Sequence, residues 1–306
     1  MRGQVVVYAL KLIYATKNMP EDYTEPVFCI AFSPDGTTVA SGHWDGTVKF
    51  WEAQSGKELG AVRAHSNGVN SLAFSPNSAL LATGGKDNTV KLINTVQTDK
   101  ILTLAGHTNW VNAVAFSPDG SLLASASSDF SLKLWEVAAG KEKANLRWHE
   151  KEVVSVAFSP DGKFLVSGGE DLTVRLWESP KGKKVKSLEG HLKKINVVAF
   201  GAGGIIASGS NDRSIKLWDS RTKKQINELR GHSYPVNSLV FSHAGKILVS
   251  GGYDGIIKLW DVASGTEFFT SKREESDAVT WLALSPDGKY IASSHRDMSI
   301  KLWEII

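Results

Sequence analysis

A histidine, a hydroxyl residue and an aspartate recur along this chain in one order. His149, Ser167 and Asp171 are one instance, and Trp177 follows the aspartate. These side-chain types make a nucleophilic triad, in which an imidazole takes the hydroxyl proton and a carboxylate orients the imidazole. They also make an inert chain. A buried carboxylate must be paired, an imidazole can donate to it, and a hydroxyl can link imidazole to an indole N–H. Count separates the readings. The trio returns as His65, Thr83 and Asp87, as His107, Ser125 and Asp129, as His191, Ser208 and Asp212, and as His232, Ser250 and Asp254. One protein has no use for five copies of an active site, so the sets are expected to be scaffold and the chain not an enzyme.

The elements that hold these sets follow from the repeat. Aligned on tryptophan, the units carry Trp51, Ile93, Trp135, Trp177, Trp218, Trp260 and Trp303, at steps of 42, 42, 42, 41, 42 and 43 residues. Asp45 and Asp297 complete a column of seven aspartates, and Ser41 and Ser293 a column of seven hydroxyls. A turn, SPDG or a relative, recurs at Ser33, Ser75, Ser117, Ser159, Gly201, Ser242 and Ser285. Runs rich in Val, Leu, Ile and Ala lie between Gly, Asp and Ser, as strands between turns do. In the third unit they are VNAVAFS, SLLASAS, SLKLWEV and KEKANLR. A four-stranded sheet cannot bury both faces alone, whereas seven arranged radially can. The predicted fold is all-β, a seven-bladed β-propeller of four-stranded antiparallel blades.

The pattern H-x₉-SPDG…S-x₃-D…KLW[DE] resembles the WD40-repeat signature over nearly the whole chain, and its near-regular units look most like the repeat arrays of bacterial and fungal regulatory proteins. The resemblance implies that His, Ser or Thr, Asp and Trp form a hydrogen-bonded set inside each blade. It also implies a rigid, non-catalytic platform for partners. Departures are informative. Ile93 deprives Thr83 of an indole donor. Units one and seven lack the loop histidine and carry instead the polar, acidic KNMPEDYTEP and TSKREESDAV. His43 and His295 share one repeat position in those two units and are candidates to substitute within their own blades; a metal site between them would require both rings to lean together. The chain stops after SIKLWEII, so the last unit lacks a fourth strand, and LKLIYAT at Leu10–Thr16 lacks a partner. Residues 1–16 are expected to supply the outer strand of blade seven, making residues 1–306 a single domain.

Composition bounds the rest. The 306 residues are 42% hydrophobic and 22% charged, with a net charge of +3 that does not call for nucleic acid or an anionic membrane. The lone cysteine, Cys29, excludes an intrachain disulfide and suits a reducing, cytoplasmic location. MRGQVVVYAL loosely imitates a signal peptide, but Lys11 interrupts it and no cleavage motif follows. No stretch approaches ~18 consecutive apolar residues, so no membrane span is expected.

By resemblance, partners meet the face that carries the loop before strand one and the turn containing the aspartate. Three positions per unit point there: the two flanking the first Val of strand one, and the one before the Asp. Phe28, Trp44, Trp110 and Tyr253 stand out as aromatics in loops, with Glu152, Glu170, Lys194 and Arg296 as charged neighbours. Trp110 could equally pack on its own loop, whereas the equivalents of Trp44 are small or polar. Asn70, Asn112, Asn196 and Asn237 recur at one position and are expected to fix loop backbone. Trp281, in a first strand, is expected to fill space at the central channel or between blades seven and one. On the opposite face Lys181, Lys183, Lys184, Arg221, Lys223 and Lys224, in consecutive loops, could meet phosphates, but a solvated rim explains them better. The expected function is therefore a monomeric interaction scaffold for a protein or peptide, with no cofactor and no metal. Nucleic-acid or acidic-lipid binding through the basic rim is the alternative.

Overall fold

A computed structural model describes residues 10–16 (backbone alone from 11 to 16), 27–271 and 278–305. These form seven four-stranded sheets, each antiparallel and each in simple meander order. Blade three is typical, with strands Val111–Phe116, Leu122–Ser127, Ser131–Glu136 and Lys141–Arg147. The first strand of every blade contacts the first strand of the next, and Val279–Leu284 of blade seven contacts Val27–Phe32 of blade one, so the ring closes. Among the described residues no helix is long and apolar enough to cross a membrane.

The turns explain why their residues repeat. After strand one, Ser117 Oγ donates to Asp119 at 2.5 Å and accepts from Leu122 N at 2.9 Å, while Asp119 accepts from Ser121 N at 3.0 Å. The same bonds recur around Ser33, Ser159 and Ser285. After strand two, the residue following the aspartate has left-handed φ in all seven blades. Gly46 and Gly255 fill it in two, and Asn88, Phe130, Leu172, Arg213 and Met298 in five. The side chains in those five carry a steric cost. The aspartate offsets it by accepting from the amide two residues on, as Asp171 does from Thr173 N at 3.2 Å.

The core lies between blades. Each tryptophan packs in a cluster with the preceding blade, against the leucine just before that blade's own tryptophan or, in blade two, just before Ile93. Leu92 shares a cluster with Trp135, Leu134 with Trp177, Leu176 with Trp218, Leu217 with Trp260, Leu259 with Trp303 and Leu302 with Trp51. At the junction of blades one and two both partners change: Phe50 stands for the leucine and Ile93 for the tryptophan. The larger ring on one side matches the smaller side chain on the other, as close packing demands. Trp281 packs against the clusters on both sides of blade one.

Polar bonds reinforce the ring. The repeated asparagines reach across to the next blade, and two also bond the aspartate turn of their own, Asn112 Nδ2 to Ser128 Oγ at 2.9 Å and Asn196 Nδ2 to Asn211 Oδ1 at 2.7 Å. Asn70 Nδ2 donates to Val111 O at 3.1 Å, and Asn112, Asn196 and Asn237 to Val153, Val236 and Val279 carbonyls, each at 2.9 Å. Thr280 Oγ1 donates to Val27 O at 3.3 Å and so bridges the closing junction. Leu10–Thr16 pairs antiparallel with Ile300–Ile305, from Leu10 opposite Ile305 to Thr16 opposite Ile300, with a register shift between Leu12 and Tyr14. The N-terminal strand thus completes blade seven.

Deleting residues 1–16 should expose the edge of Ile300–Ile305 and produce aggregation or a large drop in melting temperature. A soluble monomer with unchanged melting, seen by light scattering and calorimetry, would contradict this role. The compensated junction makes a second prediction. Ile93→Trp alone should overpack against Phe50 and cost ~1–3 kcal/mol, and Phe50→Leu alone should leave a void costing ~1–2 kcal/mol. The double variant should recover most of the loss, with a coupling of at least ~1 kcal/mol in urea unfolding. Additive losses would show that the two positions do not compensate.

Candidate functional site

In blade four, His149 Nδ1 lies 2.9 Å from Asp171 Oδ2 and His149 Nε2 lies 2.7 Å from Ser167 Oγ, while Trp177 Nε1 donates to Ser167 Oγ at 2.9 Å. A carboxylate only accepts, so Nδ1 carries the imidazole proton and Nε2 accepts from the hydroxyl. The same bonds run through His107, Asp129, Ser125 and Trp135, through His191, Asp212, Ser208 and Trp218, and through His232, Asp254, Ser250 and Trp260. Burial works against ionisation of Asp171, but the His149 bond and charge and the Thr173 and Glu150 bonds outweigh it and hold the carboxyl well below the usual range. Ser167 is 0% exposed with its hydrogen donated inward, so no substrate reaches it. Blade four adds Arg175, whose Nη2 donates to Asp171 at 2.9 Å and whose guanidinium lies 4.9 Å from the Trp148 ring.

The departures resolve individually. In blade two, His65 lies 2.8 Å from Asp87 and 2.6 Å from Thr83 Oγ1, so Ile93 removes only the indole end of the set. In blades one and seven the imidazole comes from the second strand: His43 Nε2 is 2.9 Å from Ser41 Oγ and His295 Nε2 is 2.8 Å from Ser293 Oγ. Trp51 and Trp303 donate to those hydroxyls at 2.8 Å. In the other blades this position is Gly85, Ser127, Gly169, Ser210 or Gly252. In blades two and six the loop imidazole fills that room: a Cβ at Gly85 would stand 2.2 Å from His65 Nδ1, and one at Gly252 2.5 Å from His232 Nδ1, whereas Ser127 and Ser210 carry theirs beside His107 and His191. His43 and His295 thus each serve their own blade. Among the described residues, no three His, Cys, Asp or Glu side chains are grouped to hold a metal.

On the loop face one backbone bond places the predicted positions together. The residue before the aspartate donates its N–H to the carbonyl just ahead of strand one: Lys86 to Gly68 at 2.8 Å, Ser128 to Trp110 at 2.9 Å, Glu170 to Glu152 at 2.9 Å, Asn211 to Lys194 at 3.0 Å, Tyr253 to Pro235 at 2.8 Å and Arg296 to Ala278 at 3.1 Å. Pro26 and most of the two acidic segments lie outside the described residues. Phe28 and Trp44 are in contact at 5.4 Å between centroids. The ammonium of Lys86 lies 3.5 Å from the Trp44 centroid, 4.8 Å from Phe28 and 5.0 Å from Trp110. Trp110 therefore faces a neighbouring blade, with 46% of its surface open, and Trp44 keeps 41%. Across the junction of blades six and seven Arg296 donates to the Tyr253 hydroxyl and stacks 5.8 Å from its ring. Glu152 accepts from Ser128 at 2.8 Å, and Glu170 pairs with Lys194 at 3.4 Å. Sequence reasoning passed over Lys86. Its signal was available, since it occupies the same repeat position as Trp44 one blade on, with Trp110 in the blade after.

Comparison with known families agrees with this geometry. A model described as WD domain, G-beta repeat matches residues 17–52, 56–94 and 98–136, and one described as IFT122 first beta-propeller matches residues 128–305, more than half of the chain. The chain belongs to the WD40-repeat β-propellers. An uncharacterized WD repeat-containing protein of Nostoc sp. is 51% identical over 45 residues, 15% of this chain and 3% of that protein. Autophagy-related protein 16 of Arabidopsis thaliana is 45% identical over 49 residues, 16% of this chain and 10% of that protein. Each match is about one repeat long, so it speaks for the WD40 unit and not for either protein's activity.

The opposite face of this WD40 ring differs from the expectation in one respect. Lys183 and Lys184 open the outer strand Lys183–Leu188, and Lys224 opens Lys224–Arg230, so they do not sit in free loops. Lys184 Nζ lies 5.5 Å from the Trp148 ring, and Arg221 pairs with Asp219 at 3.5 Å.

His43 makes a pH prediction. Burial, then the charge of Lys49, lowers its pKa from 6.5 to about 4, against smaller opposing effects of Asp45 and Glu58. The folded state resists a proton that the unfolded chain accepts. The His43 contribution to stability is therefore full above about pH 6.5 and is lost as pH falls towards 4, by about 3 kcal/mol over the window. His43→Ser forfeits the Ser41 bond at every pH but should lack this part of the slope. Urea unfolding at several pH values checks it: equal slopes for the two proteins would refute the assignment.

Proposed function

We propose that this WD40 propeller is a non-catalytic scaffold that presents its loop face to a protein or peptide partner. The observation that carries the reading is the cluster of Phe28, Trp44 and Trp110 around Lys86. It departs from the repeat, contributes nothing to the hydrogen-bonded sets, and leaves large aromatic surfaces open. Exposed aromatics beside a cation are frequent anchors of interfaces. Tyr253 and Arg296 extend the surface over blades six and seven, and Glu152, Glu170 and Lys194 extend it over blades four and five. A monomer working in the cytoplasm accords with this reading, and the buried thiol of Cys29 needs no oxidising compartment.

The basic rim is the second reading, supported by the exposed ammonium groups of Lys183 and Lys184. A paired experiment separates the two. A Trp44→Ala, Arg296→Ala double variant should keep its melting temperature, because neither residue belongs to a blade set. It should lose the partner that the wild-type protein retains in a pull-down read by mass spectrometry. A Lys183→Ala, Lys184→Ala control should keep that partner. The reverse result makes the basic rim the binding face.

A further inference from the structure

Lys86 is held by rings and not by a carboxylate. Its ammonium sits within 5.0 Å of three aromatic centroids, and among the described residues no Asp or Glu oxygen lies within ion-pair distance of it. Aromatic faces attract a cation but return only part of the hydration it gives up. Partial burial accordingly pulls the pKa of Lys86 below the ordinary lysine value. Five half-buried or buried cations on the third strands have acidic partners: Lys49 has Glu58, Lys133 has Glu142, Lys216 has Glu228, Lys258 has Glu267 and Arg175 has Asp171. Among the described residues the charge of Lys86 is thus unanswered, and it is walled by Trp44 and Trp110, both more than 40% exposed.

We propose that Lys86 is the anchor for a carboxylate of the partner, and that the loop face recognises an acidic peptide segment in which Asp or Glu adjoins a bulky apolar side chain. The carboxylate meets the ammonium on its open side, and the apolar neighbour covers the exposed indoles. Burying the rings' outer surface also shields the ion pair from water, which strengthens it. Charge elsewhere on the face sets the direction. Glu152 and Glu170 in blade four repel an acidic segment, so its carboxylate sits at Lys86 and its course keeps away from blade four. This rests on the loop-face reading above, and the test keeps the two apart.

The full chain, immobilised, is offered a displayed library of random short peptides, and retained peptides are then measured singly by fluorescence anisotropy against wild type, Lys86→Gln, Lys86→Arg, Trp44→Ala and Lys183→Ala, Lys184→Ala. The retained pool should be enriched in Asp or Glu next to Leu, Ile, Phe or Trp. Lys86→Gln should weaken such peptides about tenfold, and Lys86→Arg should keep most of the affinity. Added NaCl should weaken binding to wild type more steeply than to Lys86→Gln. If Lys86→Gln proves unstable, the Lys86→Arg affinity and the wild-type salt dependence decide. A pool of basic peptides that bind Lys86→Gln as well as wild type overturns the proposal, because the rings then seat a partner's cation; the loop face stands if Trp44→Ala abolishes that binding. A pool that depends on Lys183 and Lys184 and not on Trp44 overturns both readings. No acidic enrichment over the input overturns the carboxylate anchor alone.

Discussion

One sealed hydroxyl in the second strand of each blade is the constraint on which the ring depends. Ser41, Thr83, Ser125, Ser167, Ser208, Ser250 and Ser293 are all 0% exposed. Such a group is costly unless its bonds are made, and once made they fix directions. The hydrogen goes to an imidazole and a lone pair receives an indole N–H, so an imidazole and an indole must converge on one point. The indole thus held is the side chain that packs on the preceding blade. A local polar requirement therefore sets the angle between neighbouring sheets and, repeated, the closure of the ring.

The departures show which parts of that requirement are strict. The imidazole is kept in every blade but changes its origin: a loop donates it where the second strand has Gly or Ser, and the strand donates it where the loop does not. The indole is dispensable at Ile93, provided that packing is restored from across the junction by Phe50. The hydroxyl itself is never replaced. This ranking follows from energetics. A missing donor leaves one lone pair free and a void that a neighbour can fill, whereas a missing hydroxyl leaves an imidazole nitrogen and an indole N–H both buried without partners.

What was legible in the sequence divides along the same line. Blade number, strand order and the membership of the five loop-histidine sets could be read, because each depends on residues at fixed separation within one period, and the closing strand at Leu10–Thr16 could be read from the strand missing in the last unit. Features that join periods were harder to see. Asn112 looks like a loop residue until the Val153 carbonyl of the next blade is known to lie above it. The exchange of bulk between Phe50 and Ile93 and the enclosure of Lys86 both require side chains from successive blades to be superposed, and a repeat alignment places equivalents in columns without saying which of them touch. Trp110 was ambiguous for that reason: its column suggested packing on its own loop, whereas its ring faces Lys86.

The loop face is free to vary because the scaffold makes almost no use of its side chains. The bonds that bring the three positions together there are backbone to backbone, as from Lys86 N to Gly68 O and from Glu170 N to Glu152 O. Any residue but proline can donate them, and any residue can accept. The asparagine column shows the trade: where Asn ties one blade to the next, the position is committed, and where Phe28 and Val154 replace it, the position is released. At Phe28 the released side chain joins the cluster around Lys86. Specificity can therefore accumulate on this face at little cost in stability. The residues that define the fold are regular, and those that distinguish this ring from another are the irregular ones.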